Sequence, residues 1–195
     1  MISFKSIILT GGPGGGKTTL INEICGELAS KERFLVLPEA IFVAGKIGIN
    51  PREKLFQRLI VETQRGLEDA VYRTLLSDDN RILLCHRGTL DPLAYWLNHG
   101  WPEEEFFSFT NTTRDEHYKR YSAVLHLVTA ADGARDNYLR WPEAHRPESP
   151  EEAIKIDKLL EQAWENHSHY HRIDNAGKDW VAKSHEARQI ITQYV

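Results

Sequence analysis

Apolar residues along this chain gather into five short runs, and the stretches between the runs carry their apolar positions at helical spacing. Phe4 to Thr10, Phe34 to Leu37, Ile82 to Cys85 and Val124 to Val128 predict strands, and His169 to Ile173 predicts a weaker fifth. Lys17 to Ala29 predicts the first helix. Between the second and third runs, Asn50-Pro51 supplies an N-cap and first-turn pair. Leu55, Leu59, Leu67, Val71 and Leu75 follow on one long helix that ends near Ser77 to Asn80. Asp91-Pro92 opens a helix through Leu97 that Asn98 and Gly100 close, and Trp101-Pro102 opens a short one through Phe107. Ser149-Pro150-Glu151-Glu152 joins a capping box to a first-turn proline, ahead of Ile154, Leu159, Leu160 and Trp164. A last helix is predicted from about Asp179 to Tyr194.

Strands alternating with helices, several of the strands nearly continuous in apolar character, predict an α/β fold with a parallel sheet covered on both faces. A chain of 195 residues supports one such core and is short for two, so residues 1–195 are expected to form a single domain. The 24 basic against 28 acidic side chains give a formal charge of −4, which creates no overall attraction for nucleic acid or an anionic membrane. Cys25 and Cys85 match neither a disulfide framework nor a zinc ribbon and read as buried thiols in a reducing compartment. No apolar stretch approaches the roughly 18 residues of a membrane-spanning helix, and Met1 to Thr10 lacks the layout of a signal peptide. The expectation is a soluble, cytoplasmic protein.

The chemistry begins where the first strand ends. Gly11-Gly12-Pro13-Gly14-Gly15-Gly16-Lys17-Thr18 is a complete phosphate-binding loop between a predicted strand and a predicted helix. Glycines let the backbone curl until its N–H groups face phosphate oxygens, and the helix start adds its positive end. Lys17 is placed for the β- and γ-phosphates, and the Thr18 hydroxyl for Mg²⁺, a hard cation that takes few protein ligands. Thr19 completes the nucleotide-binding set. A flexible linker would carry serine and polar flanks rather than Ile7-Ile8-Leu9 and Leu20-Ile21.

In open α/β sheets ligands bind at the carboxyl ends of the strands. Glu39, after the second run, is a candidate to accept a hydroxyl proton beside a transferring phosphate, or else an acid favouring a helix dipole. The third run leads into His86 and Arg87, at a place where many such enzymes carry a metal-orienting acid. Arg87 is the candidate for phosphate or substrate oxygens, and Asp91 can serve there or cap the helix that Pro92 begins. The polar segment from Thr129 to about residue 149 carries Arg135, Arg140 and Arg146 and predicts a lid that brings arginines onto the developing charge. Asp174 to Asp179 forms a turn at the place of a nucleotide base, without a guanine-specific motif. Gln57 and Gln64 share one face of the long helix, either lining an acceptor pocket or forming an exposed polar face. His167, His169 and His171 alternate without a carboxylate or cysteine to complete a metal set.

The phosphate loop, Pro38-Glu39, His86-Arg87-Gly88, Asp91 and Ala94-Tyr95 together resemble the P-loop nucleoside and nucleotide kinases. The nearest likeness is to the AAA-domain family that includes the ribosylnicotinamide kinase domain of the bacterial NAD regulator. Arg146-Pro147-Glu148-Ser149, Glu152-Ala153, Trp164, His167 and Asn175 extend the likeness over nearly the whole chain. The resemblance implies a three-layer P-loop NTPase fold with a five-stranded parallel sheet and an arginine-bearing lid. It implies ATP or GTP with Mg²⁺, a small-molecule acceptor, Glu39 as proton acceptor and Arg87 as a phosphate-side arginine. His86 departs from the family pattern, which has an acid there. Two readings follow: a phosphotransferase acting on a hydroxyl of a nucleoside-like metabolite, or a nucleotide-dependent switch with slow hydrolysis.

Overall fold

The computed structural model describes residues 5–26, 32–75, 79–140 and 148–195. Five strands form one sheet: β1 (Ser6–Thr10), β2 (Phe34–Leu37), β3 (Ile82–His86), β4 (Ala123–Leu127) and β5 (Tyr170–Ile173). Their spatial order is β2-β3-β1-β4-β5, and every pairing is parallel. Leu9 lies beside His86 and Thr10 beside His126, so the carboxyl ends of β1, β3 and β4 finish at one edge.

The continuous apolar runs are explained by burial on two faces. On one face Ile7, Leu9, Ile82, Leu84, Leu125 and Leu127 pack under α1 (Lys17–Gly26) and the final helix. On the other, Ile8, Leu83, Cys85 and Val124 pack against helices that follow β2, β3 and β4. These are α3 (Lys54–Thr74), α4 (Asp91–Asn98), α5 (Glu103–Thr110) and α8 (Pro150–Trp164). The alternation of side chains along a strand thus sends neighbouring residues into different clusters. Residues of β1, β3 and β4 are all buried, whereas the outer strands β2 and β5 are half exposed. Trp96 and Trp164 are fully buried with their indole N–H groups satisfied, by Pro102 O at 2.8 Å and by an Asp91 carboxylate oxygen at 2.9 Å.

Several boundaries differ from the sequence expectation. The long helix starts at Lys54, because the Asn50 carboxamide accepts from the Arg52 N–H at 3.0 Å and forms its own turn instead of capping the helix. Two short helices, α2 (Ile41–Ala44) and α6 (Arg114–Tyr118), were not expected. α6 opens on a full Thr113/Glu116 capping box, and five residues are too few to show a periodic stripe. α5 runs on to Thr110, where Asn111 takes a left-handed cap. The Ser149/Glu152 box does open α8, and Asp179 caps α9 (Trp180–Thr192). Within the predicted lid, Arg135–Arg140 forms α7. No helix among the described residues is long and apolar enough to cross a membrane.

Candidate functional site

β3 and β4 flank β1 on opposite sides, so a crevice opens at the strand ends where the chain switches direction across the sheet. The glycine loop lines it. Gly11 and Gly16 have φ of 119° and 93°, and a Cβ at either would collide, with Leu127 O in the first case and the Trp180 ring in the second. The loop is held from outside as well. Gly12 donates its N–H to Asp157 Oδ1 at 2.6 Å, the Thr129 hydroxyl donates to Pro13 O, and the Ala130 N–H reaches Gly14 O at 3.2 Å.

Lys17 begins α1 and is 6% exposed. Its ammonium donates to Gly11 O at 2.8 Å and Gly12 O at 2.9 Å. Burial, with Arg87 adding to it, pushes its pKa down to about 7 against the opposing pull of Glu39, Asp91 and Asp157. This ammonium is therefore held by weak partners, and a phosphate offers stronger ones. Thr18 and Thr19 are exposed on the same first turn.

The Thr18 hydroxyl lies 3.0 Å from His86 Nε2. On the other side of the ring, Nδ1 is 2.7 Å from Glu39 Oε1, off the line of a straight hydrogen bond. Glu39 Oε2 is 3.5 Å from Arg87 Nε, and Arg87 Nη1 is 3.2 Å from Asp91 Oδ2. Thr18, His86, Glu39, Arg87 and Asp91 thus form one chain of contacts along the strand ends. Burial would raise the Glu39 carboxyl, but Arg87, His86 and Lys17 outweigh it and hold it well below the usual carboxylate range. Burial lowers the His86 pKa, with Lys17 and Arg87 assisting and Glu39 opposing.

Arg87 carries φ of 78°, the left-handed region that a non-glycine residue enters at a cost of about 1–3 kcal/mol. The strain is held by the Arg87 N–H on Leu9 O at 3.1 Å and by Gln64 Nε2 on Arg87 O at 3.3 Å. Its guanidinium also sits 5.6 Å from the centre of the Tyr95 ring. Asp91 is more than a helix-start acid. Besides the Gly88 N–H it accepts from Thr10 Oγ1 at 2.9 Å and from Trp164 Nε1, joining β1, α4 and α8.

Gln57 and Gln64 share a face, and both are buried. Gln64 also donates to Glu68 at 2.9 Å, and Glu68 in turn accepts from Arg120 and from the Tyr121 hydroxyl. Burial raises the pKa of Glu68 despite Arg120. Arg58 and Glu62 instead line a separate, open polar cavity of about 460 Å³ with Arg65 and Asp69.

The lid expectation divides. Arg135 pairs with Glu151 at 2.7 Å, and both side chains are largely exposed. Tyr138 packs with Ala131 and Ala153 and donates to Glu148 O. Arg146 lies outside the described residues, and of Arg140 only the backbone is described. Asn175 donates to Thr129 O and Asp132 O, while the Lys183 ammonium reaches Asn175 Oδ1 and Val128 O. That turn is tied to the loop after β4. His167 and His171 bond to backbone carbonyls and to the Tyr194 hydroxyl.

Asp157 escaped the sequence reading, which named Thr129 only as the start of the lid segment and Trp164 only in the helix stripe and the family likeness. Asp157 had a signal: it falls on the α8 stripe of Ala153, Ile156, Leu160 and Trp164, where a lone carboxylate interrupts an apolar face. Burial would raise its pKa, but contact with His126 and the Gly12 and Thr129 N–H groups hold it low.

A sheet in this order, a glycine loop running into α1 and a lysine folded onto that loop all point to a nucleotide site. A model of an AAA domain matches residues 6–181. The chain belongs to this AAA-domain family. A search of curated proteins returned no match. The matched span of the AAA domain contains all five strands and the whole crevice, and its fold is that of a P-loop NTPase. P-loop domains of this kind generally use a magnesium nucleotide. The donors present suit one: Thr18 offers a hydroxyl at the loop, His86 and Glu39 stand behind it, and phosphates and water complete such shells. Among the described residues no group of three or more His, Cys, Asp or Glu could hold a metal by itself, so an ion here would share its ligands with phosphate oxygens.

Proposed function

We propose that this AAA domain is an ATP- and Mg²⁺-dependent phosphotransferase acting on a hydroxyl of a nucleoside-like or other small metabolite. The observation that carries the reading is Glu39. Its carboxylate stands at the sheet edge beside the glycine loop, fixed between His86 and Arg87 and within electrostatic reach of Lys17. The resemblance to the ribosylnicotinamide kinase domain supports the same acceptor class.

In this reading Gly11 to Gly16 cradle the phosphates with backbone N–H groups, and Lys17 leaves Gly11 O and Gly12 O for the β- and γ-phosphates. Thr18 would hold Mg²⁺, which would neutralise phosphate charge. The acceptor hydroxyl oxygen forms the new bond to the γ-phosphorus as the bond to the β–γ bridging oxygen breaks. ADP leaves, and Glu39 takes the hydroxyl proton. So acidic a carboxylate is a weak base, which suits a loose transition state that needs an oriented hydroxyl more than a strong proton acceptor. Arg87 sits where negative charge develops, and Arg135 and Arg146 are the lid candidates. The exposed Ile41, Phe42, Val43 and Ile47 follow Glu39 directly and offer apolar surface to an acceptor's ring.

Incubation with ATP, Mg²⁺ and a panel of nucleosides and hydroxylated metabolites, followed by phosphorus NMR, tests the reading. A phosphorylated product above the acceptor-free control supports it, and its absence across the panel contradicts it. One observation favours the second reading, a switch that hydrolyses slowly: a histidine rather than an acid touches Thr18.

A further inference from the structure

The fold places a histidine, not a carboxylate, against the hydroxyl that faces the nucleotide's metal. Thr18 Oγ1 and His86 Nε2 are 3.0 Å apart. That separation is a hydrogen-bond length. It is also roughly the distance, about 3.0 Å, between adjacent corners of an octahedron with bonds of about 2.1 Å, so one ion can meet both atoms once the ring tilts its Nε2 lone pair off the line to Thr18 Oγ1.

The far side of the ring decides what Nε2 can do. Glu39 Oε1, 2.7 Å from Nδ1 though off the line of a straight hydrogen bond, favours a proton on Nδ1, and Nε2 is the ring nitrogen that faces Thr18. A carboxylate behind one nitrogen with the other nitrogen free is the arrangement in which histidines ligate metals: it fixes the tautomer, orients the ring and strengthens the donor. Arg87, paired with Glu39 Oε2, keeps that carboxylate in place from its other oxygen. An acid at position 86 would offer only hard oxygen, which suits Mg²⁺. A neutral imidazole is a poor ligand for Mg²⁺ and a good one for first-row transition ions.

We propose that His86 Nε2 is a direct ligand of the nucleotide-bound ion, and that it shifts the site's preference from Mg²⁺ toward a first-row transition ion such as Mn²⁺ or Co²⁺. The inference rests on the nucleotide-site reading but not on phosphate transfer, since a slow hydrolase would carry the same shell. Glu39 then has two oxygens with two duties, one orienting His86 and one facing Arg87 and the acceptor.

Mn²⁺ serves as the probe. Pulsed electron paramagnetic resonance of the Mn²⁺–ATP complex of the whole protein is expected to show ¹⁴N modulation from an imidazole, lost in His86→Asp and in His86→Gln. Calorimetric titration is expected to show wild-type protein favouring Co²⁺–ATP over Mg²⁺–ATP by at least about tenfold more than His86→Asp does, as expected when an imidazole ligand is exchanged for a carboxylate. The wild-type spectrum decides even where a variant fails to fold. No nitrogen coupling in the wild type, or nitrogen coupling that survives both substitutions, overturns the proposal, as does an unchanged metal preference. Coupling without any phosphorylated product would leave the ligand assignment standing and remove the kinase reading.

Discussion

Asp157 Oδ1 accepts the N–H of Gly12 at 2.6 Å and the N–H of Thr129 at 3.0 Å, so one carboxylate oxygen on α8 joins the phosphate loop to the segment after β4. Both donors are buried, and removing their acceptor leaves them unpaired. Asp157→Ala is expected to lower stability by on the order of 3 kcal/mol. Asp157→Asn keeps an acceptor oxygen and should lose less. Urea unfolding midpoints check this, and an Asp157→Ala midpoint equal to wild type would contradict it.

Lys17 presents the opposite case. Its ammonium is buried against two carbonyls, and its depressed pKa records a charge that is poorly solvated in the free protein. Lys17→Met is therefore expected to unfold at the same denaturant concentration as wild type, or a higher one. It should bind nucleotide about 10- to 100-fold more weakly, the worth of charged hydrogen bonds to phosphate. Parallel thermal-shift series with and without ATP would show the nucleotide-induced rise shrink while the unliganded value holds.

His117 is buried, its Nδ1 2.8 Å from Thr89 Oγ1 and its Nε2 3.0 Å from Thr112 Oγ1. Burial, with Arg65 and Arg120 adding to it, takes its pKa down to about 3. The unfolded chain binds the proton near pH 6.5 and the folded chain does not, so this histidine's contribution is complete above about pH 6.5 and is lost as pH falls toward 3. Its share of the decline is up to about 1.4 kcal/mol per pH unit. Denaturant midpoints at pH 7.5, 6 and 5 for wild type and His117→Gln should show a shallower decline in the variant. Equal slopes would contradict the assignment.

The sheet and the phosphate loop were legible because their signals are local. Buried parallel strands must be apolar on both faces, and a glycine loop before a lysine and threonine has few other uses. The short helix at Arg114 was equally local, opened by Thr113 and Glu116, but it lacks the length that makes a stripe visible. What stayed hidden depends on long-range pairing. Nothing near position 157 in sequence points to Gly12, and nothing near Trp164 points to Asp91. These contacts exist only once α8 has packed beside α4. The Gln64–Glu68–Tyr121 network was half visible, since the glutamines shared a face, but its acidic centre reads as a solvated charge until Arg120 is brought to it. Arginines of the lid were grouped by sequence proximity, and the surface pair that Arg135 makes with Glu151 on the neighbouring helix is a contact that nothing near position 135 announces.

The central claim is that Glu39 acts on an acceptor hydroxyl rather than only holding His86 and Arg87. Acceptor-dependent ADP release, measured for wild type and Glu39→Gln alongside ATP affinity for each, tests it most directly. The account predicts that Glu39→Gln keeps ATP affinity within a few-fold and loses transfer by about 10²-fold or more, the usual share of a positioned proton acceptor. Unchanged transfer in Glu39→Gln, or no acceptor-dependent ADP release from the wild type at all, would contradict it.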